Sequence, residues 1–519
     1  MNLSGLDIIV FVCYFLLVLS VGIGVTIFLK RKQTSKDYFF AGNSLPWWVI
    51  GSSVIAANIS AEQFIGMTGS GYAIGLGIAT YEWLGAIGLL IVAKYFLPIY
   101  LKNGIYTMPG FLEKRYDYRL RISLAVFWLL VYWFVNLSSV FYLGALVLEG
   151  FLGLSLVQWI LVLAVLSAIY AVIGGLKAVA YTDVIQVIFL VAGGLLTTYF
   201  VLKAISNSND IILGLKMLYE KAPEKFDLIL DKSDPNYKYL PGIGVILGGL
   251  WVANIAYFGC NQYIIQRSLA AKNIKEAQKG MAFAAFLKLF IPLIVVLPGI
   301  AAFVLQADIA KPDESYPWLL NTFIPTGFKG LAFAALIAAI VSSLSSMVTS
   351  ASTIFTFDIY KPIFNKNVKD SKLVFVGRVM SAVSLVIAVL VAPLLSSLEQ
   401  AFQFIQNFTG MVTPGIVVVF LFGLFWKKAT ALGALWTVIL TIPVALILDL
   451  LIADLPFLDR MGLSFLILSV VLIGVTFLFK KDGKDIIKTN KNSYKTDMIF
   501  NVSAIVICAL LGVLYYTFW

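Results

Sequence analysis

The chain has no histidine, three cysteines and few charges, with Asp, Glu, Lys and Arg together making 13% of its 519 residues. Without histidine there is no imidazole general base and no Ser-His-Asp constellation. Cys13, Cys260 and Cys508 lie far apart in apolar stretches, so there is neither a disulfide framework nor a zinc-binding spacing. A soluble domain carries about a quarter charged residues, and this chain is instead 61% hydrophobic. The composition is that of a polytopic membrane protein and points away from enzymatic function. The N-terminal MNLSGLD has no basic region and no small-residue cleavage site. Its first apolar stretch is therefore read as a retained helix and not as a signal peptide.

Spanning the hydrocarbon core takes about 20 apolar residues. Fourteen stretches meet that length, near 6–29, 47–73, 77–101, 122–150, 155–175, 181–203, 243–265, 280–305, 328–357, 373–394, 401–425, 429–453, 461–479 and 498–519. The expected fold is a single all-α membrane domain of about 14 transmembrane helices over 1–519. Two connections are unusual, the polar segment 205–242 with its amphipathic LGLKMLYEKAP and the segment 306–327.

Basic residues concentrate in cytoplasmic loops. With the N-terminus outside, 28 of the 38 Lys and Arg fall on the inside, nine on the outside, and Lys288 remains within a helix. Both termini are thus expected to be extracytoplasmic. The net charge of +11 is then a matter of topology and of attraction to anionic lipid, with no nucleic acid implied. The same parity sets stretches 2–6 and 7–11 in opposite sense. An inverted five-helix repeat over 47–203 and 243–425 follows, with an extra helix at 6–29 and three more over 429–519.

The most informative run is AANISAEQFIGMTGSGYAIG, residues 56–75. It occupies a spanning position yet holds Asn58, Ser60, Glu62, Gln63, Thr68, Ser70 and four glycines. In lipid every unpaired polar group costs several kcal/mol, so such a segment survives only where it lines a protein-enclosed cavity. The seventh stretch, GGLWVANIAYFGCNQY, is interrupted in the same way. Both are read as broken helices whose unpaired ends serve a ligand or cation. Their glycines also fit a plainer role in close helix packing.

Among intramembrane polar residues, Glu82 suits ligand binding or ion pairing. Lys288 suits either a site or a snorkelling position, as Lys94 does. Asn254 and Gln406 add amides that both donate and accept. Grouped near Tyr257, these types suit a neutral polyhydroxyl ligand with hydroxyls to pair and an apolar face to stack. In AALIAAIVSSLSSMVTSAST, Ser342 and Ser343 follow Ala339 at helical spacing and suit a small cation such as Na+. Serines in such a helix equally bond their own i−4 carbonyls or ease packing.

NISAEQFIGM (58–67), YEW (81–83), TDVIQV (182–187), GGLWVAN (248–254), NQYIIQR (261–267), AAFLK (284–288), AAIVSSL (338–344) and GLFWKK (423–428) resemble the solute:sodium symporter family, in order and along the whole chain. The resemblance implies Na+-coupled uptake of a sugar, galactose or glucose, by alternating access, with Na+ as coupling ion and no other cofactor. It also implies residence in a bacterial cell (inner) membrane. Sugar contacts then fall on Asn58, Ser60, Gln63, Glu82, Asn254, Lys288 and Gln406. Tyr257 is the inner gate and Asn136 its support. Na+ ligands fall on the carbonyls of Ala56, Ile59 and Ala339 and the hydroxyls of Ser342 and Ser343, and Asp183 lies on the ion's exit path. The chain departs from a sugar-transporting member that it resembles at Gly85, where that member carries serine, and at Ala256 and Phe258, which replace a tyrosine and a tryptophan beside its gate. A symporter of the same fold for inositol, sialic acid or an amino acid is the alternative. A sugar sensor or channel fits poorly, since no signalling domain is visible and a channel has no need of two broken helices.

Overall fold

The computed structural model describes residues 4–28, 34–60, 62–364, 366–397, 401–479 and 491–519. Helix dominates, and each of the fourteen sequence stretches carries it among the described residues. Length and apolarity single out ten helices able to cross a membrane, from Gly5–Val25 to Met498–Thr517, with three shorter apolar helices at Leu156–Ile169, Gly249–Cys260 and Thr409–Phe425. The second stretch is missing from both groups because its helix is broken.

The elements that build the site are α1 (Gly5–Phe28), α2 (Trp47–Asn58), α3 (Thr68–Ala73), α4 (Thr80–Ile91), α5 (Leu156–Ser206), α6 (Gly249–Ile255), α7 (Gln262–Leu269), α8 (Ile274–Lys288), α9 (Ile291–Val304) and α10 (Phe328–Ile354). Burial grades from centre to rim. The apolar window of the span holding α10 is 94% buried, whereas those of α1 and the last helix are 17% buried. The outer faces carry exposed Leu, Ile and Val such as Leu390, Leu450 and Val470, as a lipid solvent requires.

α2 ends where Ile59 turns extended (φ −86°, ψ 107°), and the chain resumes helical winding at Glu62–Met67 and α3. No glycine makes this break. The glycines beyond it serve packing instead. A Cβ on Gly71 would lie 2.6 Å from the Val296 carbonyl oxygen, and one on Gly299 would lie 2.1 Å from that of Thr68, so α3 and α9 meet backbone to backbone. The seventh stretch breaks twice, at Gly248 (φ −106°, ψ −135°) and at Asn261 (φ −94°, ψ 123°). Asn261 then caps α7, its Oδ1 accepting from the Tyr263 amide at 3.3 Å.

The expected helices at 155–175 and 181–203 are both present and run on directly as the two arms of α5, joined at the non-helical Gly175 (φ 65°, ψ −161°). Only glycine adopts that backbone readily, and the main chain of Tyr38 fills the space a Cβ would need. The amphipathic segment of 205–242 is helix Ile211–Lys221, capped by Asp210. Its loop is pinned to α3 by Lys225, which donates to the Ala73 carbonyl at 2.7 Å.

Candidate functional site: a buried polar cluster beside a broken helix end

The break after Asn58 creates the first half of the site. In a continuous helix the Ser60 amide would donate to the Ala56 carbonyl; here it donates to Gln63 Oε1 at 2.9 Å, and so does the Ser60 hydroxyl. The Ala56 carbonyl is thereby released at the negative end of α2, where a helix end favours a cation. Ser343 reaches the same place from α10, its hydroxyl donating to the carbonyls of Ala57 at 3.2 Å and Ile59 at 3.5 Å. Ser342, its neighbour, donates to Asp183 Oδ1 at 2.6 Å, which leaves the lone pairs of its oxygen for another partner. Ala339 lies one turn before on the buried face of α10.

Asp183, expected on the ion's exit path, lies in the second arm of α5 shortly after the Gly175 corner, fully buried and held from three sides, by Ser342, by Ser53 and by the Arg267 guanidinium at 3.6 Å. Arg267, the last residue of the NQYIIQR run, is fully buried as well, on α7.

The second half of the site gathers around α4, α6 and α8. Lys288 is no snorkelling residue: it is 2% exposed and its ammonium is ion-paired with Glu82, 3% exposed. The pair is electrically neutral, as a buried pair must be to persist. A Cβ on Gly85 would sit 3.2 Å from Asn254 Oδ1 and 3.3 Å from Lys288 Nζ, so the missing side chain at 85 lets these groups approach α4. Lys288 also lies 5.3 Å above the Phe258 ring, a cation–π contact that this chain's phenylalanine supplies. The Nδ2 of Asn254 is buried without a partner among the described residues, as is the Oδ1 of Asn58. One is a donor and the other an acceptor, and a ligand hydroxyl satisfies either.

Tyr257, one turn after Asn254, is half-buried. Its hydroxyl accepts from Asn58 Nδ2 at 3.3 Å and from the Tyr263 hydroxyl. The Tyr263 ring stands edge-on to it, centroids 5.7 Å apart. Asn136 lies in the winding Val131–Asn136, its Oδ1 buried and unpartnered among the described residues. Gln406 falls within helix Ala401–Phe425, and its side chain lies outside the described residues.

Sequence reading missed Tyr263, Arg267, Ser53 and Ser346. Tyr263 and Arg267 at i, i+4 directly below a break were the available signal; the net-charge bookkeeping hid it.

The sequence and the fold have counterparts in known proteins. A profile described as the sodium:solute symporter family matches residues 38–441. The chain is 52% identical to the sodium/glucose cotransporter of Vibrio parahaemolyticus, covering 100% of this chain and 99% of that protein. The chain belongs to the sodium:solute symporter family. It is also 36% identical to the human sodium/myo-inositol cotransporter 2, over 83% of this chain and 68% of that one. Among solved structures, the substrate-bound outward-open state of a Na+-coupled sialic acid symporter superposes with a TM-score of 0.82 at 25% identity, covering 93% of this chain and 99% of that one. The protein is a multi-pass membrane symporter.

Proposed function

We propose that this symporter carries a neutral polyhydroxyl solute, a hexose such as galactose or glucose, into the cell together with one Na+. The observation that carries the reading is the neutral Glu82–Lys288 pair, with an amide donor, Asn254 Nδ2, and an amide acceptor, Asn58 Oδ1 beside the aromatic Tyr257, that have no partner among the described residues. An anionic solute would need a free cation, and Glu82 already satisfies Lys288. Hydroxyls need paired hydrogen bonds, and a buried site left unpaired rejects a solute that lacks them.

In this reading Asn58, Ser60, Gln63, Glu82, Asn254, Lys288 and Gln406 bind the sugar, Tyr257 stacks on it as inner gate, and Asn136 supports the gate. Na+ takes the carbonyls of Ala56, Ile59 and Ala339 and the hydroxyls of Ser342 and Ser343, and leaves past Asp183. Bound between α2 and α10, it neutralises the carbonyl end of α2 and orders the break that presents Gln63. By linkage each ligand raises the other's affinity by the same factor. The frame is the fourteen-helix arrangement with two inverted five-helix repeats, both termini outside a bacterial inner membrane.

The test is uptake of labelled galactose into proteoliposomes, with an inward Na+ gradient against an equal K+ gradient, and unlabelled glucose, myo-inositol, sialic acid and proline as competitors. Accumulation with Na+, blocked by glucose and lost in Gln63→Ala, is the expected result. Ser343→Ala raises the Na+ concentration for half-maximal uptake about tenfold, equivalent to about 1.4 kcal/mol. Block by sialic acid or proline but not by glucose overturns the neutral-sugar assignment. Block by myo-inositol alone moves it to a cyclic polyol.

A further inference from the structure

We propose that Arg267 is a positioning residue that couples the ion site to the gate through Tyr263. This rests on the ion and sugar sites assigned under the proposed function. Arg267 is fully buried, and its nitrogens are engaged by four separate elements. Nε donates to the Ser53 hydroxyl at 2.6 Å and to the Ser53 carbonyl at 3.2 Å on α2. Nη2 donates to the Ser346 hydroxyl on α10 and lies 3.6 Å from the Asp183 carboxylate on α5. Nη1 donates to the Tyr263 carbonyl one turn back on α7.

Both anchors lead to the ion site in one step. Ser346 donates onward to the Ser342 carbonyl at 2.6 Å, and Asp183 accepts from the Ser342 hydroxyl at 2.6 Å. A cation at the Ser342 oxygen attracts the Asp183 carboxylate and repels the guanidinium beyond it, both in a site where charges are poorly screened. The guanidinium is a rigid fork, so its displacement is transmitted to whatever its other arms hold. One arm holds Tyr263, whose hydroxyl donates to the gate hydroxyl of Tyr257. Neutralising Asp183 would not require this arrangement, since a single contact at the carboxylate would do that. What the extra arms add is a continuous link, Ser342 to Asp183 to Arg267 to Tyr263 to Tyr257, of groups in direct contact.

The decisive quantity is the ratio of galactose dissociation constants in K+ and in Na+, measured on purified protein, with the Na+-induced rise in melting temperature as a separate readout of ion binding. Tyr263→Phe keeps the bond from Arg267 to the Tyr263 backbone and the ring, and removes the hydroxyl that donates to Tyr257. Arg267→Lys keeps the charge opposite Asp183 and removes the fork. In each, the ratio is expected to fall at least tenfold towards one while Na+ still raises the melting temperature. In the double variant it is expected to fall no further. A wild-type ratio in Tyr263→Phe overturns the coupling role, whether or not Arg267→Lys folds, and so do losses that add in the double variant. A ratio of one in the wild-type protein defeats the ion and sugar assignment itself, and the coupling role with it.

Discussion

At the residue scale the polar cluster is governed by one neutralised pair. Glu82 and Lys288 stand 206 residues apart, and each was visible in the sequence as a charge where lipid would not accept one. Their pairing was not visible, because helical spacing relates residues within an element and says nothing across two. Removing one partner of a buried pair costs about 3–5 kcal/mol, whereas replacing both with apolar groups is close to neutral. Glu82→Gln is therefore expected to lower the melting temperature of the purified protein sharply. Glu82→Gln with Lys288→Met is expected to restore most of the loss without restoring uptake. Restored uptake in the double variant would show that neither group touches the solute. Gly85 is the other decisive position. A serine there places its Cβ 3.2 Å from the Lys288 Cε, a contact the flexible lysine relieves by a few tenths of an ångström, and adds a hydroxyl within reach of Asn254. Gly85→Ser is expected to fold normally and to change the ratio of galactose to glucose inhibition constants several-fold in competition assays. An unchanged ratio would place Gly85 outside the pocket.

At the element scale the breaks matter more than the spans. Polar residues at 58–63 marked the second stretch correctly as interrupted, since membrane helices rarely carry so many unpaired amides and hydroxyls. The mechanism of the break was not legible. Glycine was the natural suspect, yet the turn falls at Ile59 and Ser60 and is held by the Gln63 side chain, while Gly71 and Gly299 bring two backbones together. Spacing patterns report where a helix weakens; contacts with other helices decide which residue yields. The corner of α5 shows the same limit in milder form. The two expected helices are both there, and what spacing did not reveal is how directly they join, through a corner on Gly175 with φ 65° and no room for a Cβ beside Tyr38. Gly175→Ala combines a strained backbone, costing about 1–3 kcal/mol, with a clash against main chain that cannot swing aside. It is expected to lower the melting temperature more than Gly474→Ala, which meets nothing within 4 Å. Equal effects of the two would mean that the corner is not held by the Tyr38 segment.

At the scale of the whole molecule, burial runs from lipid-facing helices at the rim to α10 at the centre, and α10 carries Ser342 and Ser343 against the broken end of α2. That centre is where α2 and α10 meet, so the Na+ proposed to lie between them would favour one arrangement of the two over another. Charge then determines the energetics. Glu82 balances Lys288, so in the proposed cycle a neutral solute adds nothing and only the charge of Na+ moves inward. At a membrane potential of about 100 mV that charge contributes about 2.3 kcal/mol, enough to sustain roughly fiftyfold accumulation of the solute at about 1.4 kcal/mol per tenfold. With equal Na+ on both sides of the proteoliposome, an inside-negative potential imposed by K+ efflux through valinomycin is expected to drive galactose uptake above equilibrium, and collapse of the potential to release it. Uptake indifferent to the potential would mean that the solute or a second ion cancels the charge of Na+. Because Lys288 is already committed to Glu82, an anionic solute in that case would have to be held by groups other than this pair.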